Sequence, residues 1–282
     1  MATLQGRKFF STLEKIPIIL PPPGSGYKSD DKPSDSDMGA DDPNTRSYIN
    51  VNANQIPSRF HDRVLKLEEA MNLMQAWLDT HAGIQVKHRK ADGTLPSDSS
   101  PQSGLKRSDY RNKVVDTILT EGCSWVMHNN DVYSENNINT SKSEFHLSMI
   151  SDMLVGLLDG ITGISKTIED VFSGLANLIF ENKNQVQSRT VWSLFHVFLY
   201  DKTTDDVRTY FRIINYSVTA EMVEYVSNKT THQEVKMGFN FNMTDLSLNE
   251  NQWDRVKDDV QKFIDDISAN QVENPIDGEI SV

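Results

Sequence analysis

The segment from Phe145 to Phe180 carries three helical lines of residues and constrains the fold more than any other part of the sequence. Apolar side chains recur there at steps of three and four, the spacing of one face of an α-helix. Small residues form a second line, and Asp152, Asp159 and Lys166 form a polar third line. Three such lines are typical of a helix that packs on several sides. The apolar line is Ile150, Leu154, Leu157, Ile161, Ile164, Ile168, Val171, Leu175 and Ile179, and the small-residue line is Gly156, Gly160, Gly163, Thr167 and Gly174.

The glycines of this segment allow two structures. Gly160 to Gly163 could form the tip of a hairpin between two shorter helices. However, Ile161 and Ile164 keep the apolar line in phase through the cluster, and a turn would break that phase. The pattern therefore favours one long central helix with a kink at Gly160.

Glycines inside a helix need an explanation, because each one costs up to about 1 kcal/mol relative to alanine. Close packing against a sheet or a neighbouring helix would offset that cost. A line of small residues also lets helices approach each other inside a membrane. We therefore interpret one face of this segment as a surface for helix packing or for membrane contact, formed by Gly156, Gly160, Gly163, Gly174, Leu154, Leu157, Ile161 and Ile164.

The chain has 282 residues and a net charge of −12, and this acidic balance argues against general nucleic-acid binding. Its one compact basic run, Lys87 to Lys90, is interpreted as a solvated loop, because phosphate binding usually needs more positive charge. The sequence has no apolar run of about 18 residues to span a membrane, and no signal sequence. We therefore expect synthesis in the cytoplasm, with export by another route left open.

Composition divides the chain into three parts. Residues 1–55 contain three consecutive prolines and are rich in Ser, Asp and Asn, so they bury too little apolar surface to offset their ordering entropy. They are predicted to form a flexible leader. Residues 56–270 are predicted to form a single α+β domain, and residues 271–282 an acidic tail that frays.

Three further helices are predicted from apolar periodicity and capping residues. Ser58 is a plausible N-cap for the first of them, and Gly83 a plausible stop. Asn249, with Gln252 three residues later, fits a capping box at the start of the last. The predicted ranges are Ser58–Ala82, Ser108–His128 and Glu250–Ser268.

Between the long helix and the last helix the apolar period changes to two. Val235–Met243 alternates apolar and polar residues, which predicts a half-buried strand. Val191–Tyr200 is nearly all apolar and predicts a central strand, with Val207–Ser217 as its hairpin partner. Thr219–Ser227 suits a strand or a short helix, and a strand continues the meander. The predicted fold is α+β, with a long central helix and flanking helices packed on an antiparallel β-meander.

The sequence contains no motif for catalysis or cofactor binding. The glycines from Gly156 to Gly163 have the wrong spacing for a phosphate loop and lie within a helical pattern. The seven histidines are scattered and lack metal-ligand spacing, and His196 is interpreted as a core histidine. We therefore predict no enzymatic activity, no metal and no cofactor.

The single cysteine, Cys123, has two interpretations. A buried cysteine usually behaves as a small apolar residue. Alternatively the thiol carries an acyl chain, in which each buried CH₂ contributes about 0.8 kcal/mol to membrane affinity. Its neighbours Gly122 and Ser124 carry no charge that would activate the thiol.

Two resemblances follow from these residues. Met149 to Phe180, an apolar helical segment punctuated by glycines within a polar chain, resembles the α-pore-forming toxins and related bacterial virulence factors. The combination of helices, a sheet and a cysteine is similar to the enterobacterial Evf-type virulence factors, which carry an acylated cysteine. That resemblance implies acylation of Cys123.

The leading hypothesis is a bacterial virulence or toxin-like protein that acts at host membranes without enzymatic chemistry. The alternative is a non-enzymatic interaction module whose long helix is only structural core. The expected partner is accordingly a host membrane or another protein, and not a nucleic acid.

Overall fold

The computed structural model describes residues 32–38, 46–52, 56–141, 152–154, 189–218 and 234–273. These residues form helices and a mainly antiparallel sheet, which confirms the predicted α+β fold. The helices are α1 (Asp35–Met38), α2 (His61–Ala91), α3 (Pro101–Thr117) and α4 (Glu250–Glu273). The strands are β1 (Arg46–Asn52), β2 (Val126–Ser141), β3 (Arg189–Asp201), β4 (Asp206–Val218) and β5 (Glu234–Leu248).

The described residues belong to two compact units. The sheet unit contains residues 46–52, 56–67, 126–141, 152–154, 189–218 and 234–248. The helical unit contains residues 32–38, 68–125 and 249–273. The predicted single domain, residues 56–270, includes parts of both units.

Within the described residues the sheet has five strands in the order β1-β3-β4-β5-β2. β3, β4 and β5 are successive antiparallel neighbours, as expected of a meander. β2 pairs antiparallel with β5, and β1 pairs in parallel with β3. The parallel pair departs from the purely antiparallel sheet that the sequence predicts.

The sequence patterns miss two of these strands. β1 lies within the predicted leader, so that prediction does not hold for residues 46–52. β2 begins near the predicted end of the second helix, and its exposed side chains include Asn129, Asn130 and Asp131. Both strands owe their conformation to ladders with distant partners, β3 and β5. A polar edge strand therefore forms here without the alternating pattern that usually predicts one.

Strand β3, which has a neighbour on each side in the sheet, is buried on both of its faces. Every residue from Trp192 to Phe198 is buried, and neighbouring side chains in a strand point to opposite sides of the sheet. Trp192, Leu194 and His196 therefore lie on one face, and Ser193 and Phe195 on the other. This confirms the prediction of a central strand from its continuous apolar run.

The turn between β3 and β4 is held by its own side chains. Asp205 has φ +53°, in the left-handed region that aspartate tolerates. Its carboxylate accepts a hydrogen bond from the Tyr200 hydroxyl at 2.6 Å and pairs with Arg59. The ring of Phe60 lies 5.5 Å from that of Tyr200. The short turn Ser58–Phe60, predicted as the start of a helix, thus packs beside the hairpin.

Helix α2 starts and ends later than its sequence suggests. It begins at His61 and continues through Gly83, the predicted stop, to Ala91. The chain leaves the helix at Gly93, two residues after Ala91, and the φ of +78° there suits glycine. Gly83 serves packing, because a Cβ there would lie 2.6 Å from Met38 Sδ and 2.9 Å from Pro33 Cβ.

Helix α3 begins before and ends before the predicted second helix. Pro101 occupies its first turn, and the Ser100 side chain accepts a hydrogen bond from the backbone N–H of Ser103 at 3.3 Å. One wider π-helical turn, Ile118–Gly122, follows α3. The predicted continuation to His128 is wrong, because the chain has already entered β2 at Val126.

The predicted capping residue of the last helix, Asn249, is confirmed, but the return bond of a capping box is replaced by a bond to Trp125. Asn249 Oδ1 accepts a hydrogen bond from the backbone N–H of Gln252 at 3.2 Å, and its own N–H donates to Trp125 O at 2.8 Å. α4 then extends to Glu273, beyond the predicted end at Ser268.

Replacing Asn249 with alanine should lower the free energy of unfolding by about 1 kcal/mol, because an N–H of the first turn of α4 loses its acceptor. Urea denaturation followed by circular dichroism measures the change. Asn251→Ala, an exposed position in the same turn, is the matched control and should have a much smaller effect. Equal losses in the two variants would contradict the capping role.

Several predictions concern residues outside the described ranges. Of the predicted long central helix, only residues 152–154 lie in the described ranges, where Met153 and Leu154 are buried, so one long helix stays a prediction. The segment Thr219–Ser227 and the end of the acidic tail, residues 274–282, also lie outside.

Candidate functional site

Cys123 lies where the helical part of the chain passes into the sheet. The π-helical turn ends at Gly122, Cys123 adopts an extended backbone, and β2 begins three residues later at Val126. Only 7% of the Cys123 residue surface is exposed. Burial raises the pKa of its thiol to about 12. The structure therefore favours the interpretation of Cys123 as a small apolar residue.

At about pH 8, native Cys123 should react with iodoacetamide on the order of 10³-fold more slowly than an unfolded cysteine, because only the thiolate is nucleophilic. Mass spectrometry of quenched samples measures the rate. Protein unfolded in guanidinium chloride is the control and should react fully. Fast labelling of the native protein would contradict the buried, protonated thiol.

Aromatic side chains form a cluster in the helical unit, and one of them, Trp125, follows Cys123 by two residues. The ring centroids of Trp77 and Trp125 are 5.3 Å apart, and those of Trp125 and Trp253 are 6.1 Å apart. His81 stacks on Phe263 at 4.6 Å with the two ring planes nearly parallel. Such ring pairs contribute about 0.5–1.5 kcal/mol each beyond the area that they bury. This aromatic cluster therefore joins α2, α4 and the chain next to Cys123.

The histidine of the aromatic cluster is held in its neutral form. Its ring also meets the edge of Trp77 at 4.5 Å, so aromatic rings surround it. Burial lowers the pKa of His81 to about 4. Protonation of this ring in acid therefore opposes the packing of the cluster.

The sheet unit contains a second buried histidine. His196 is buried in β3, with its ring 5.6 Å from that of Phe211 and nearly perpendicular to it. Burial lowers the pKa of His196 to about 4. This agrees with its interpretation as a core histidine.

A largely buried ion pair links the neighbouring strands β4 and β5 and was not anticipated from the sequence. Arg212 on β4 donates to both carboxylate oxygens of Asp245 on β5, at 2.5 and 2.7 Å. Its third nitrogen donates to Met153 O at 3.1 Å. The two residues lie 33 positions apart, and no short-range pattern in the sequence predicts that they pair. The arrangement is typical of a structural ion pair and holds no reactive group.

The basic run from Lys87 to Lys90 is not a solvated loop. It forms the last turn of α2, where Lys90 Nζ lies 2.7 Å from Asp37 Oδ1. Lys87 Nζ donates to Lys32 O at 2.7 Å. Lys87 and Lys90 are therefore engaged by residues of the predicted leader, whereas Arg89 pairs with Asp92 at 2.8 Å.

Two of the predicted site residues are described, and they belong to different units. Cys123 lies in the helical unit, and Leu154 is buried in the sheet unit. The other residues of the predicted packing or membrane face lie outside the described ranges: Gly156, Gly160, Gly163, Gly174, Leu157, Ile161 and Ile164. The described residues contain no group of three or more acidic, histidine or cysteine side chains placed to hold a metal ion. None of the helices among them is long and apolar enough to cross a membrane.

No known protein family and no curated protein matches this sequence. Among solved structures, the chain is similar to that of the Evf virulence factor, with a TM-score of 0.51 and 15% sequence identity. That likeness covers 79% of this chain and 80% of the other. The activated Cyt2Ba monomer from Bacillus thuringiensis subsp. israelensis matches with a TM-score of 0.30 and 8% identity, over 71% of this chain and 97% of that one.

The Evf likeness defines the class of fold. An α+β architecture is shared along most of both chains although few residues are identical. The resemblance to Evf-type virulence factors expected from the sequence is thereby confirmed for the fold.

Proposed function

We propose that this protein is a virulence or toxin-like factor that acts at host membranes by binding and perturbing them, without enzymatic chemistry. The observation that carries the proposal is the fold shared with the Evf virulence factor across about four-fifths of both chains, 79% and 80%. The structural similarity to Evf supports a shared fold only. The proposal that this protein acts on membranes therefore rests on further features of this chain.

The state of the buried titratable groups supports a non-enzymatic role. The thiol of Cys123 has a pKa of about 12, so it stays protonated near neutral pH. Nucleophilic cysteines have a much lower pKa, because only the thiolate reacts. His196 has a pKa of about 4 and lies within the sheet core. These groups behave as parts of the core and not as an acid, a base or a nucleophile poised near neutral pH.

Acid sensitivity supports action at membranes through loosening of the fold. His81 and His196 are both neutral when buried and both resist protonation. As the pH falls from about 6.5 towards 4, each gains a proton more readily in the unfolded chain than in the folded one. Acid therefore weakens both units and favours exposure of apolar surface, which is what membrane association requires.

Vesicle leakage tests the proposal. Purified protein is added to dye-loaded vesicles of phosphatidylcholine, with and without phosphatidylserine, between about pH 5 and pH 8, a range that spans histidine titration. We expect binding and dye release that increase towards pH 5. A protein that neither binds nor permeabilises either vesicle type anywhere in this range would refute the membrane function.

Acylation of Cys123 is a separate proposal that follows from the Evf resemblance. Because the folded protein buries this thiol, an acyl chain would have to be attached before the helical unit closes around it. The intact mass of protein from its native source tests this. A mass equal to that of the bare sequence would exclude the modification.

The alternative function is protein interaction without membrane action. It is favoured by two apolar side chains on β2, Met127 and Tyr133, which are 46% and 43% exposed. β2 is also an edge strand of the described sheet. Edge strands with exposed apolar side chains are common docking sites. A partner captured from host lysate by the wild type and lost with Met127→Glu and Tyr133→Glu, in a protein inert towards vesicles, would establish this alternative.

A further inference from the structure

Residues 32–38, which we call the strap, are bound by positively charged side chains of α2 and α3. Lys87 Nζ donates to Lys32 O at 2.7 Å. Lys90 Nζ donates to Asp37 Oδ1 at 2.7 Å, and Arg111 Nη1 donates to Asp37 O at 3.0 Å. The strap is thus held near both of its ends by cations of the helical unit.

The surface beneath the strap fits its apolar side chains. α2 has no side chain at Gly83, and a Cβ there would lie 2.6 Å from Met38 Sδ and 2.9 Å from Pro33 Cβ. A glycine within a helix costs about 1 kcal/mol relative to alanine, and the close approach of the strap accounts for it. We call the surface formed by Gly83, Lys87, Lys90 and Arg111 the strap groove.

The strap presents its carboxylate in a defined geometry. Asp37 Oδ2 accepts hydrogen bonds from Ser34 N at 2.8 Å and from Ser34 Oγ at 2.7 Å. The N–H groups of Asp37 and Met38 both donate to Ser34 O at 2.9 Å, closing one helical turn. Oδ1 of the same carboxylate is thereby left directed at Lys90. Burial raises the pKa of Asp37, but the hydrogen bonds from Lys90 and Ser34 outweigh it and hold the pKa below its usual value.

The features of this contact are those of a peptide bound in a recognition site. Three kinds of contact converge on this short segment. They are a charge-assisted hydrogen bond to Asp37, a cation that donates to a backbone carbonyl, and a glycine that leaves room for two apolar side chains. Pro33, Ser34, Asp37 and Met38 are the residues that make or shape these contacts. Asp35 and Ser36 lie between them in the sequence.

We propose that the strap groove recognises an acidic peptide of the form Pro-Ser-x-x-Asp-Met, and that the chain's own residues 32–38 occupy this site as a tethered ligand. The partner is therefore a protein that carries an acidic segment of this pattern. Because the strap and the strap groove belong to one chain, the strap competes at an effective concentration of roughly millimolar, and a partner's segment binds only when it outcompetes the strap. The strap is accordingly an autoinhibitory contact.

Peptide binding to the full-length protein tests this inference. The probe is a fluorescein-labelled peptide with the sequence of residues 28–42, and fluorescence anisotropy gives its affinity. A strap-released protein, carrying Pro33→Ala and Asp37→Ala, should bind the peptide at least about 10-fold more tightly than the wild type, in which the tethered strap competes. The proposal would be overturned if the wild type and the strap-released protein bound the peptide with nearly the same affinity. It would also be overturned if the folded strap-released protein did not bind the peptide.

Two controls assign binding to the strap groove. Adding Lys90→Gln to the strap-released protein should weaken peptide binding at least about 10-fold, because the carboxylate loses a charge-assisted partner. A peptide with alanine in place of Asp37 should weaken in the same way. Unchanged binding in either case would place the peptide elsewhere and refute the site.

Hydrogen exchange of the wild type gives a readout that needs no variant. The amides of Asp37 and Met38 should be protected in the free protein, because both donate within the turn of the strap. A saturating amount of unlabelled peptide should remove that protection by displacing the strap. Protection that persists at saturation would overturn displacement, and an absence of protection from the outset would overturn the tethered-ligand state.

Discussion

Replacing Arg212 with methionine should lower the free energy of unfolding by about 3 kcal/mol, because it leaves a largely buried carboxylate without its cation. The Arg212 side chain is 3% exposed and that of Asp245 is 20% exposed, so solvent compensates little of the loss. The carbonyl of Met153 also loses its donor. Urea denaturation monitored by tryptophan fluorescence measures the change.

Arg208→Met is the matched control for this experiment. Arg208 lies on the same strand and pairs with Asp201 at 3.1 Å, but its side chain is half exposed, and surface ion pairs of this kind contribute little. The double variant Arg212→Met with Asp245→Leu should recover much of the lost stability, because no unpaired charge remains. If Arg212→Met and Arg208→Met lowered the free energy of unfolding equally, burial would not determine how much the Arg212 pair contributes to stability.

Acid should cost the sheet unit about 3 kcal/mol of stability through His196 alone. The pKa of His196 is about 4 in the folded protein, below the value of about 6.5 for an unfolded histidine. This contribution to stability is therefore fully present above about pH 6.5. It is lost progressively as the pH falls through 6.5 towards 4, because the unfolded chain binds the proton first.

The difference in pH dependence between the wild type and His196→Phe isolates this effect. Phenylalanine keeps an aromatic ring against Phe211 and removes the titrating group. Carboxylates elsewhere contribute equally in both proteins, so the wild type should lose about 3 kcal/mol more than the variant between about pH 7 and pH 4. Parallel pH profiles for the two proteins would contradict a neutral, buried His196.

A virulence or toxin-like role and the strap proposal make different demands on the protein. Membrane perturbation depends on loosening of the two units, whereas peptide binding requires a folded helical unit with an open groove. The vesicle and peptide experiments can therefore succeed or fail independently. An autoinhibitory strap would nevertheless suit a protein that must remain inactive until it meets its target.

Local patterns predicted those parts of the fold whose cause lies in neighbouring residues. The Asn249 side chain accepts a hydrogen bond from the backbone N–H three residues later, so the spacing of residues in the sequence was sufficient to predict this cap. The apolar run of β3 predicted both a central strand and a core position for His196, because a strand buried on both faces needs apolar residues throughout. Leu154 is buried, as its position in the apolar line of the long segment leads one to expect.

Predictions failed where a distant segment decides the local structure. Gly83 was predicted to end a helix, yet it lies inside α2. A glycine is needed at that position because Pro33 and Met38 occupy the space that a side chain would fill. The basic run after it reads as a solvated loop, yet Lys87 and Lys90 bind the strap. β2 carries too many polar side chains to be recognised as a strand, and its ladder with β5 gives it that conformation.

The sequence by itself therefore determined the α+β class, the central strand, the cap of α4 and the absence of recognisable catalytic motifs, since each depends on residue type and short-range spacing. Only the tertiary structure decided that residues of the supposed leader join the sheet and the helical unit. It also decided that Arg212 and Asp245 form a buried pair and that Cys123 is shielded. These features depend on contacts between residues far apart in the chain, and periodicity and composition carry no information about which distant partner a residue will meet.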